Sequence, residues 1–287
     1  MKSSKGKIAD KDAALLSPII SIVMPTYNTS LEYLNESVES VMKQTFGDFE
    51  LLVIDDGSTE TQGVEWLKTL KDQRIILIQN NHDFIESLNR GIAESQGKYI
   101  VRMDADDIMM PNRLQVQYDF MEEHPEIDVC GSWMETFGNK NDTIRVHTEH
   151  KEITASLLLY NTMVHPTIML RKASVCNNKT SLYKKGYNSA EDYKLWTDLA
   201  MEGLRFANIP EILLKYRCSE NQVTNIRQKE MISSSQKIRL EYAEVIIEML
   251  VEGKKQYESF FNELIDLYNN QFISVSTFLR TIYNFLS

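Results

Sequence analysis

The chain has 287 residues, with 31 Lys+Arg against 41 Asp+Glu, giving a net charge of −10 at pH 7 and a sequence pI of about 5.1. That length accommodates one large domain or two small ones, and 43% apolar with 25% charged residues is the make-up of a globular chain, excluding disordered and collagen-like states. Acidity of this size lacks the basic footprint of a nucleic-acid binder and excludes that class.

Residues 1–18 are polar and read as a mobile tail. The β-branched run Ile19–Met24 predicts a first strand, and the apolar spacing over 31–45 predicts an amphipathic helix. Glu50–Ile54 follows as a strand, Val64–Leu70 as a helix, Arg74–Gln79 as a strand, Phe84–Ser95 as a helix and Lys98–Met103 as a fourth strand. Alternation at this pace predicts βαβ units and a mostly parallel sheet flanked by helices, whose ligands sit beyond the carboxyl ends of the strands. After Pro111 the pattern gives a helix to about Glu123, a strand over Asp128–Phe137, a helix near Lys151–Tyr160, a strand near Thr167–Arg171 and a helix over Glu191–Glu202. From about residue 226 the character changes. Ile238, Tyr242, Val245 and Met249, then Tyr257, Phe261, Leu264 and Tyr268, recur at helical spacing and predict amphipathic helices. The expected division is therefore a tail (1–18), an α/β domain (19–225) and a C-terminal helical extension (226–287).

Four strand-end and helix-end motifs carry candidate chemistry. Pro25-Thr26-Tyr27-Asn28 follows the first strand and supplies turn residues that expose backbone donors. Asp55-Asp56-Gly57-Ser58-Thr59 follows the second; its carboxylates serve either to cap the next helix or to bind ribose hydroxyls or a base N–H, as the acidic residue of dinucleotide folds does. Asp104-Ala105-Asp106-Asp107 follows the fourth strand. Residues 104 and 106 of an extended segment point the same way, so both can meet one hard cation such as Mg²⁺ or Mn²⁺, which bridges carboxylates to substrate phosphates. Glu191-Asp192 opens a helix, where acidic residues are favoured by the macrodipole alone. Trp196 lies one turn further on and suits either the core or the floor of a sugar pocket.

Cys130, Cys176 and Cys218 form no CxxC pair, so neither a zinc site nor a disulfide framework is expected and a reducing cytosol is the simplest compartment. The N-terminal lysines are interrupted by Asp10 and Asp12, without the apolar core of a signal peptide. The longest apolar stretches, around Ile19–Met24 and Leu157–Tyr160, are too short to span a bilayer. On this basis the N-x-S/T sequons at Asn28, Asn35, Asn141 and Asn178 are read as chance.

Taken together, SIVMPTYN, LLVIDDGST, NRGIAESQGKYIVRMDADD, HPTIML and AEDYKLW resemble, in order and spacing over roughly residues 19–200, the family-2 glycosyltransferases, inverting enzymes with the GT-A nucleotide-sugar fold. The resemblance implies that Pro25, Thr26, Tyr27, Asn28, Asp55, Asp56, Asp83 and Asp104 line a nucleotide-sugar pocket, with Asp104 and Asp106 as the DxD metal pair. It further implies Asp192 as catalytic base beside Glu191, and His165, which opens His-Pro-Thr, on the acceptor side with Trp196. Asn80-Asn81-His82-Asp83-Phe84 fits loosely, since relatives commonly carry a glycine there. Arg102 and Lys98 lead into the metal loop and are assigned no direct role. The implied activity is transfer of a sugar from a nucleotide-diphosphate donor, a UDP-sugar, to a glycan or lipid-linked acceptor in cell-surface polysaccharide or glycolipid synthesis, in the cytoplasm or peripherally at the inner face of the membrane.

Rival readings fail on letters. Gly91 to Gly97-Lys98 holds one residue too many for a P-loop and Tyr99 replaces its Ser/Thr, and no GxGxxG follows the first strand. A sugar nucleotidyltransferase lacks its glycine-rich basic start here. A non-catalytic nucleotide-sugar-binding or scaffold protein on the same fold stays as the alternative from another class. For the C-terminal helices three readings stand: packing on the catalytic domain, homodimerisation, and peripheral membrane contact. The seven Lys/Arg and eight Asp/Glu of residues 226–287 do not make the cationic face that anionic lipid attracts, so membrane contact ranks last.

Overall fold

The computed structural model of the protein describes residues 17–177, 179, 181–218, 227–253 and the single positions 265, 269, 274 and 278. Its centre is a run of strands buried on both faces: β1 (Ile20–Thr26), β2 (Phe49–Asp55) and β4 (Tyr99–Arg102) contain no exposed residue. Strand periodicity divides their side chains between two cores. Ile20, Ile22, Met24, Leu51 and Val53 face one side of the sheet, and Val23, Leu52, Ile54 and Ile100 the other. A parallel sheet covered on both faces requires such unbroken apolar runs.

The remaining strands are β3 (Ile75–Gln79), β5 (Ile108–Met109), β6 (Val129–Gly138), β7 (Thr143–Ile144), β8 (Met169–Arg171) and β9 (Phe206–Cys218). They join in the order β3-β2-β1-β4-β8-β6-β9-β5, with β7 beside β6. The strands β3, β2, β1 and β4 are parallel throughout. Beyond them β8 enters antiparallel to β4 and β6, while the long β6–β9 ladder is again parallel, so parallel ladders carry most of the registered residues. The helices α1 (Leu31–Met42), α2 (Gln62–Thr69) and α4 (Arg113–Glu123) cover the first face through Leu34, Val38, Leu67, Leu114 and Met121. The second face is covered by α3 (Phe84–Glu94), α5 (His150–Ser156), α6 (Lys172–Cys176) and α7 (Glu191–Met201), through residues such as Leu88, Ile153, Val175 and Leu199. Close approach of α3 to β1 depends on Gly91, where an added Cβ would lie 2.3 Å from Val23 Cγ1. A mixed α/β sandwich of this kind matches the expected fold class.

Several details differ from the expectation. The first strand runs two residues past Met24 and the second one residue past Ile54, setting Thr26 opposite Asp55 at the carboxyl edge. The 13-residue strand β9 is not anticipated at all. Its pattern is interrupted by exposed Pro210 and Glu211, which bulge out between Ile209, paired with Ser132, and Ile212, paired with Trp133. Proline is tolerated within a sheet at such bulges.

C-terminal to β9, α8 (Gln228–Gly253) lies along α7. Ile238 and Tyr242 are buried against the second core. Lys194 of α7 reaches Glu241 at 2.8 Å and Asp198 at 3.0 Å, and Arg239 Nη1 donates to the Leu159 carbonyl at 3.1 Å. The predicted face over Ile238 and Tyr242 is thus used for packing within the chain. The second predicted helical stretch, Tyr257 to Tyr268, lies outside the described residues. Among the described residues no helix is long and apolar enough to cross a membrane.

Candidate active site at the carboxyl edge of the sheet

Because β1 lies between β2 and β4, the loops after these three strands meet at one edge, and each ends in a motif singled out in the sequence. The loop after β1 turns through Asn28, whose φ of 50° is a left-handed conformation that asparagine tolerates. The Asn28 Oδ1 accepts from the backbone N–H groups of Thr59 and Glu60 at 2.9 and 3.0 Å, which ties the first loop to the second. Gly57 sits at φ +76°, with a would-be Cβ 3.0 Å from the His82 backbone nitrogen; both the conformation and the space require glycine there.

Asp55 and Asp56 are buried, and each is held through its Oδ1. Asp55 Oδ1 accepts from the Ser58 N–H at 3.0 Å. Asp56 Oδ1 accepts from the Asp83 N–H at 2.8 Å and from the Ser87 hydroxyl at 2.7 Å. Asp83 in turn caps α3 by accepting from the Glu86 N–H at 3.1 Å. The ion pair with Lys185, followed by that N–H, holds the Asp83 carboxyl below its ordinary range. Above these groups the rings of Tyr27 and His82 stack at 4.1 Å between centroids, and Tyr27 is 43% exposed. The structure therefore brings Thr26, Tyr27, Asn28, Asp55, Asp56 and Asp83 to one side of the edge.

The loop after β4 carries Asp104, Asp106 and Asp107, of which Asp107 is wholly buried. Burial and then the neighbouring Asp104 raise the Asp106 carboxyl to about 6. The same two causes, with Asp106 added, push Asp107 well above its usual range. Carboxylates that raise one another's pKa are a site short of positive charge. Two basic side chains offset part of this. Arg102 Nη2 meets Asp104 Oδ1 at 2.5 Å. Arg217 of β9 donates from its backbone N–H to Asp107 Oδ1 at 2.9 Å and from Nε to the Asp106 carbonyl at 2.8 Å, its guanidinium lying 4.0 Å from the Tyr33 ring and 4.4 Å from the Phe137 ring. A third, Arg113, is fully buried and donates to the carbonyls of Pro166 and Arg102 at 2.8 and 3.1 Å, fastening the end of β4 to the His-Pro-Thr turn.

The Glu191-Asp192 pair opens α7 on the far side of Arg102. Asp192 is held by Asn161, whose Nδ2 donates to Oδ2 at 2.7 Å, and by the Tyr193 N–H, which donates to Oδ1 at 2.8 Å. Burial raises the Asp192 carboxyl despite these bonds. Burial and then Asp192 raise Glu191 to about 7. Glu191 is thus poised to hold or take a proton near neutrality, and Asp192 is shifted upward in the same direction.

His165 and Trp196 sit behind this pair. Trp196 is completely buried and presents no surface to a ligand; of the two roles open to it in the sequence, the structure gives it the core. Its ring meets His165 edge-on at 6.0 Å. His165 is 8% exposed, bonds through Nε2 to the Tyr183 hydroxyl at 2.7 Å, and is kept neutral by burial and then by Arg102.

Three site residues escape the sequence reading, Asn161, Tyr183 and Arg217, and a fourth, Arg102, is given no direct role there. Arg102 had a visible signal, a lone charge inside the apolar run of β4. It is 5% exposed, yet its Nε and Nη1 have no hydrogen-bond partner among the described residues. Such orphaned donors in a buried site call for explanation. Among the described residues no three His, Cys, Asp or Glu side chains are grouped to hold a metal; Asp104 and Asp106 stand in the loop after β4 as a pair of carboxylates. Their mutual repulsion and their oxygen chemistry fit a hard divalent ion whose other ligands come from a phosphate-bearing substrate and water.

Comparison with known proteins gives consistent likenesses. The family described as Glycosyl transferase family 2 matches residues 21–182. An uncharacterized glycosyltransferase of Haemophilus influenzae is 34% identical over 239 residues, covering 78% of this chain and 73% of that protein. The O-antigen biosynthesis glycosyltransferase WbnJ of Escherichia coli is 30% identical over 206 residues, covering 69% of this chain and 79% of that one. The structure of S. aureus TarS 1-349 in complex with UDP-GlcNAc aligns with a TM-score of 0.63 at 20% identity, over 82% of this chain and 72% of that chain. In a second TarS structure the aligned part is 43% of that chain.

Proposed function

The chain belongs to glycosyl transferase family 2, and on that premise we propose that it transfers a sugar from a nucleotide-diphosphate donor, a UDP-sugar, to an acceptor hydroxyl with inversion at the anomeric carbon, in the synthesis of a cell-surface polysaccharide or glycolipid. The observation that carries this reading is the single edge at which nucleotide-type carboxylates, a DxD pair and a proton-accepting Glu-Asp pair converge. The UDP-GlcNAc in the TarS structure and the O-antigen role in the name of WbnJ support the donor and the product class.

In this reading Tyr27 and His82 flank the base, and Asp55, Asp56 and Asp83 order the nucleoside through its hydroxyls and N–H groups. Asp104 and Asp106 would hold Mn²⁺ or Mg²⁺, which when bound neutralises charge on the diphosphate. Asp192 takes the proton of the acceptor hydroxyl as that oxygen attacks the anomeric carbon from the face opposite the departing nucleotide. The bond to the diphosphate oxygen breaks in the same displacement, so no covalent enzyme intermediate forms and the centre inverts. A carboxylate with a raised pKa suits this role, because general bases work best when their pKa lies near the working pH. Glu191 beside it raises the local negative charge. Asn161 and the Tyr193 N–H fix the carboxylate plane of Asp192. His165, neutral and bonded to Tyr183, supports the acceptor side from behind.

The test is a thermal-shift panel of UDP-, GDP- and dTDP-sugars with and without Mn²⁺ or Mg²⁺. Stabilisation by a UDP-sugar that depends on the cation is expected. No stabilisation by any of them, under either metal, would defeat the proposal.

A further inference from the structure

A groove separate from the nucleotide edge opens along the turn that carries Asn161, the partner of the proposed base. It encloses about 370 Å³ and is lined by Trp133, Arg145, His147, Glu152, Tyr160 and Thr162 among others, a volume within the roughly 300–1,000 Å³ of small-molecule sites. We propose that this groove is the acceptor subsite and that its occupant is an uncharged pyranose ring of the acceptor glycan. The inference rests on the glycosyltransfer reading and adds to it where, and on which residues, the acceptor sits.

Position is the first argument. Tyr160 and Thr162 flank Asn161, the residue that donates to Asp192 Oδ2 at 2.7 Å. Consecutive Cα atoms lie about 3.8 Å apart, so the groove runs along the same turn that holds Asn161 against the proposed base. Trp133 also lines the groove, and the strand beside it, β9, bulges at that point. The β6–β9 register shifts both before and after Trp133, and bulges of this kind collect next to active sites. The indole is held by Nε1 donating to the Val146 carbonyl at 3.0 Å.

Chemistry is the second argument. A pyranose offers apolar C–H faces and a rim of hydroxyls, so its site needs aromatic surface interleaved with paired donors and acceptors. Tyr160 is 50% exposed, an unusual extent of aromatic surface left to solvent, and its hydroxyl meets His147 Nε2 at 3.2 Å. Arg145 lies 5.5 Å from the Trp133 ring centroid, and Glu152 is 3.7 Å from His147 Nδ1. One guanidinium and one carboxylate balance, which suits a neutral sugar better than a phosphate or an anionic headgroup. His147 and Glu152 can each engage a hydroxyl without a net charge to match.

Saturation-transfer NMR with the methyl glycosides of glucose, galactose, mannose and N-acetylglucosamine tests this on the full chain. Wild-type protein should transfer saturation to the ring protons of at least one glycoside. Tyr160→Ala should reduce that signal about tenfold, the loss expected for one stacked ring, and Glu152→Gln should reduce it without altering the melting temperature. Thermal stabilisation by a UDP-sugar with Mn²⁺ should stay unchanged in both variants. An equal signal in wild type and both variants overturns the proposal, as does silence of the wild type toward every glycoside. Persistence of the UDP-sugar stabilisation in either case would leave the transferase reading standing, whereas its absence would remove that reading instead.

Discussion

Raising the pH from 4.5 to 8 should destabilise this protein through Glu191, and Glu191→Gln should abolish that part of the pH dependence. Burial, and after it the charge of Asp192, raise the Glu191 carboxyl from 4.5 to about 7 in the folded chain. Between those values the native state binds more protons than the unfolded one, so stability falls as pH rises. Every tenfold change in a proton-binding constant corresponds to about 1.36 kcal/mol, which sets the full penalty on the order of 3 kcal/mol, complete once the pH passes the folded value. Glutamine has the same shape and no charge to desolvate. Glu191→Gln should therefore exceed wild type by roughly 3 kcal/mol at pH 8 and match it to within about 0.5 kcal/mol at pH 4.5. Urea unfolding followed by tryptophan fluorescence, at pH 4.5, 6 and 8 without divalent cation or nucleotide, measures the difference. Groups away from the pair titrate alike in both proteins and cancel, while relief of Asp192 from its neighbour's charge adds to the gain at high pH. A difference in stability that is the same at pH 4.5 and pH 8 would refute the reasoning, since it would mean that Glu191 carries no raised pKa.

Two further substitutions test the other side chains of the edge. Asp192→Asn keeps the hydrogen bond to the Tyr193 N–H within reach and removes the base, so transfer should fall by about 10²–10⁴-fold while the thermal stabilisation by nucleotide sugar is kept; transfer at the wild-type rate would take the role of base away from Asp192. Arg102→Met strips Asp104 of its buried partner and adds uncompensated negative charge to the DxD loop. Breaking such a pair costs about 3 kcal/mol, or roughly 6–12 °C in melting temperature for a chain of this size, and an unchanged melting curve would show that Arg102 is not the counter-charge the geometry makes it.

How much of this was legible from the letters depends on how local the cause is. The strands β1, β2 and β4 stood out because both of their faces are buried, which forces continuous apolar runs, and the carboxylates that follow them sit where the fold needs to end a strand. At the carboxyl edge Pro25 and Thr26 of β1 and Asp55 of β2 were missed, because Thr26 and Asp55 extend the ladder through pairing with each other. Strand β9 hid behind Pro210 and Glu211, whose bulge is intelligible only once β6 is beside it. Arg217 could not be assigned to the site from sequence, since its contacts to Asp106 and Asp107 span 111 and 110 residues. The Trp196 ambiguity is of another kind. An aromatic residue four positions beyond Asp192 in the same helix has the same letter whether it faces ligand or core, and only the packing of α7 over the second core decides.

The electrostatics of the edge connect stability to chemistry. The three arginines gathered there, Arg102, Arg113 and Arg217, are engaged unequally: Arg113 is taken up mainly by backbone carbonyls, while Arg102 meets Asp104 and keeps two buried nitrogens unpaired among the described residues. They leave Asp106 and Asp107 at one end, and Glu191 and Asp192 at the other, with raised pKa values. At the DxD end the residual repulsion favours a divalent ion. At the Glu-Asp end the same burial that costs folding free energy brings a carboxyl towards neutrality, where it accepts a proton most effectively. Glu191→Gln and Asp192→Asn should then part company: the first exchanges a titrating neighbour for stability, and the second loses the reaction.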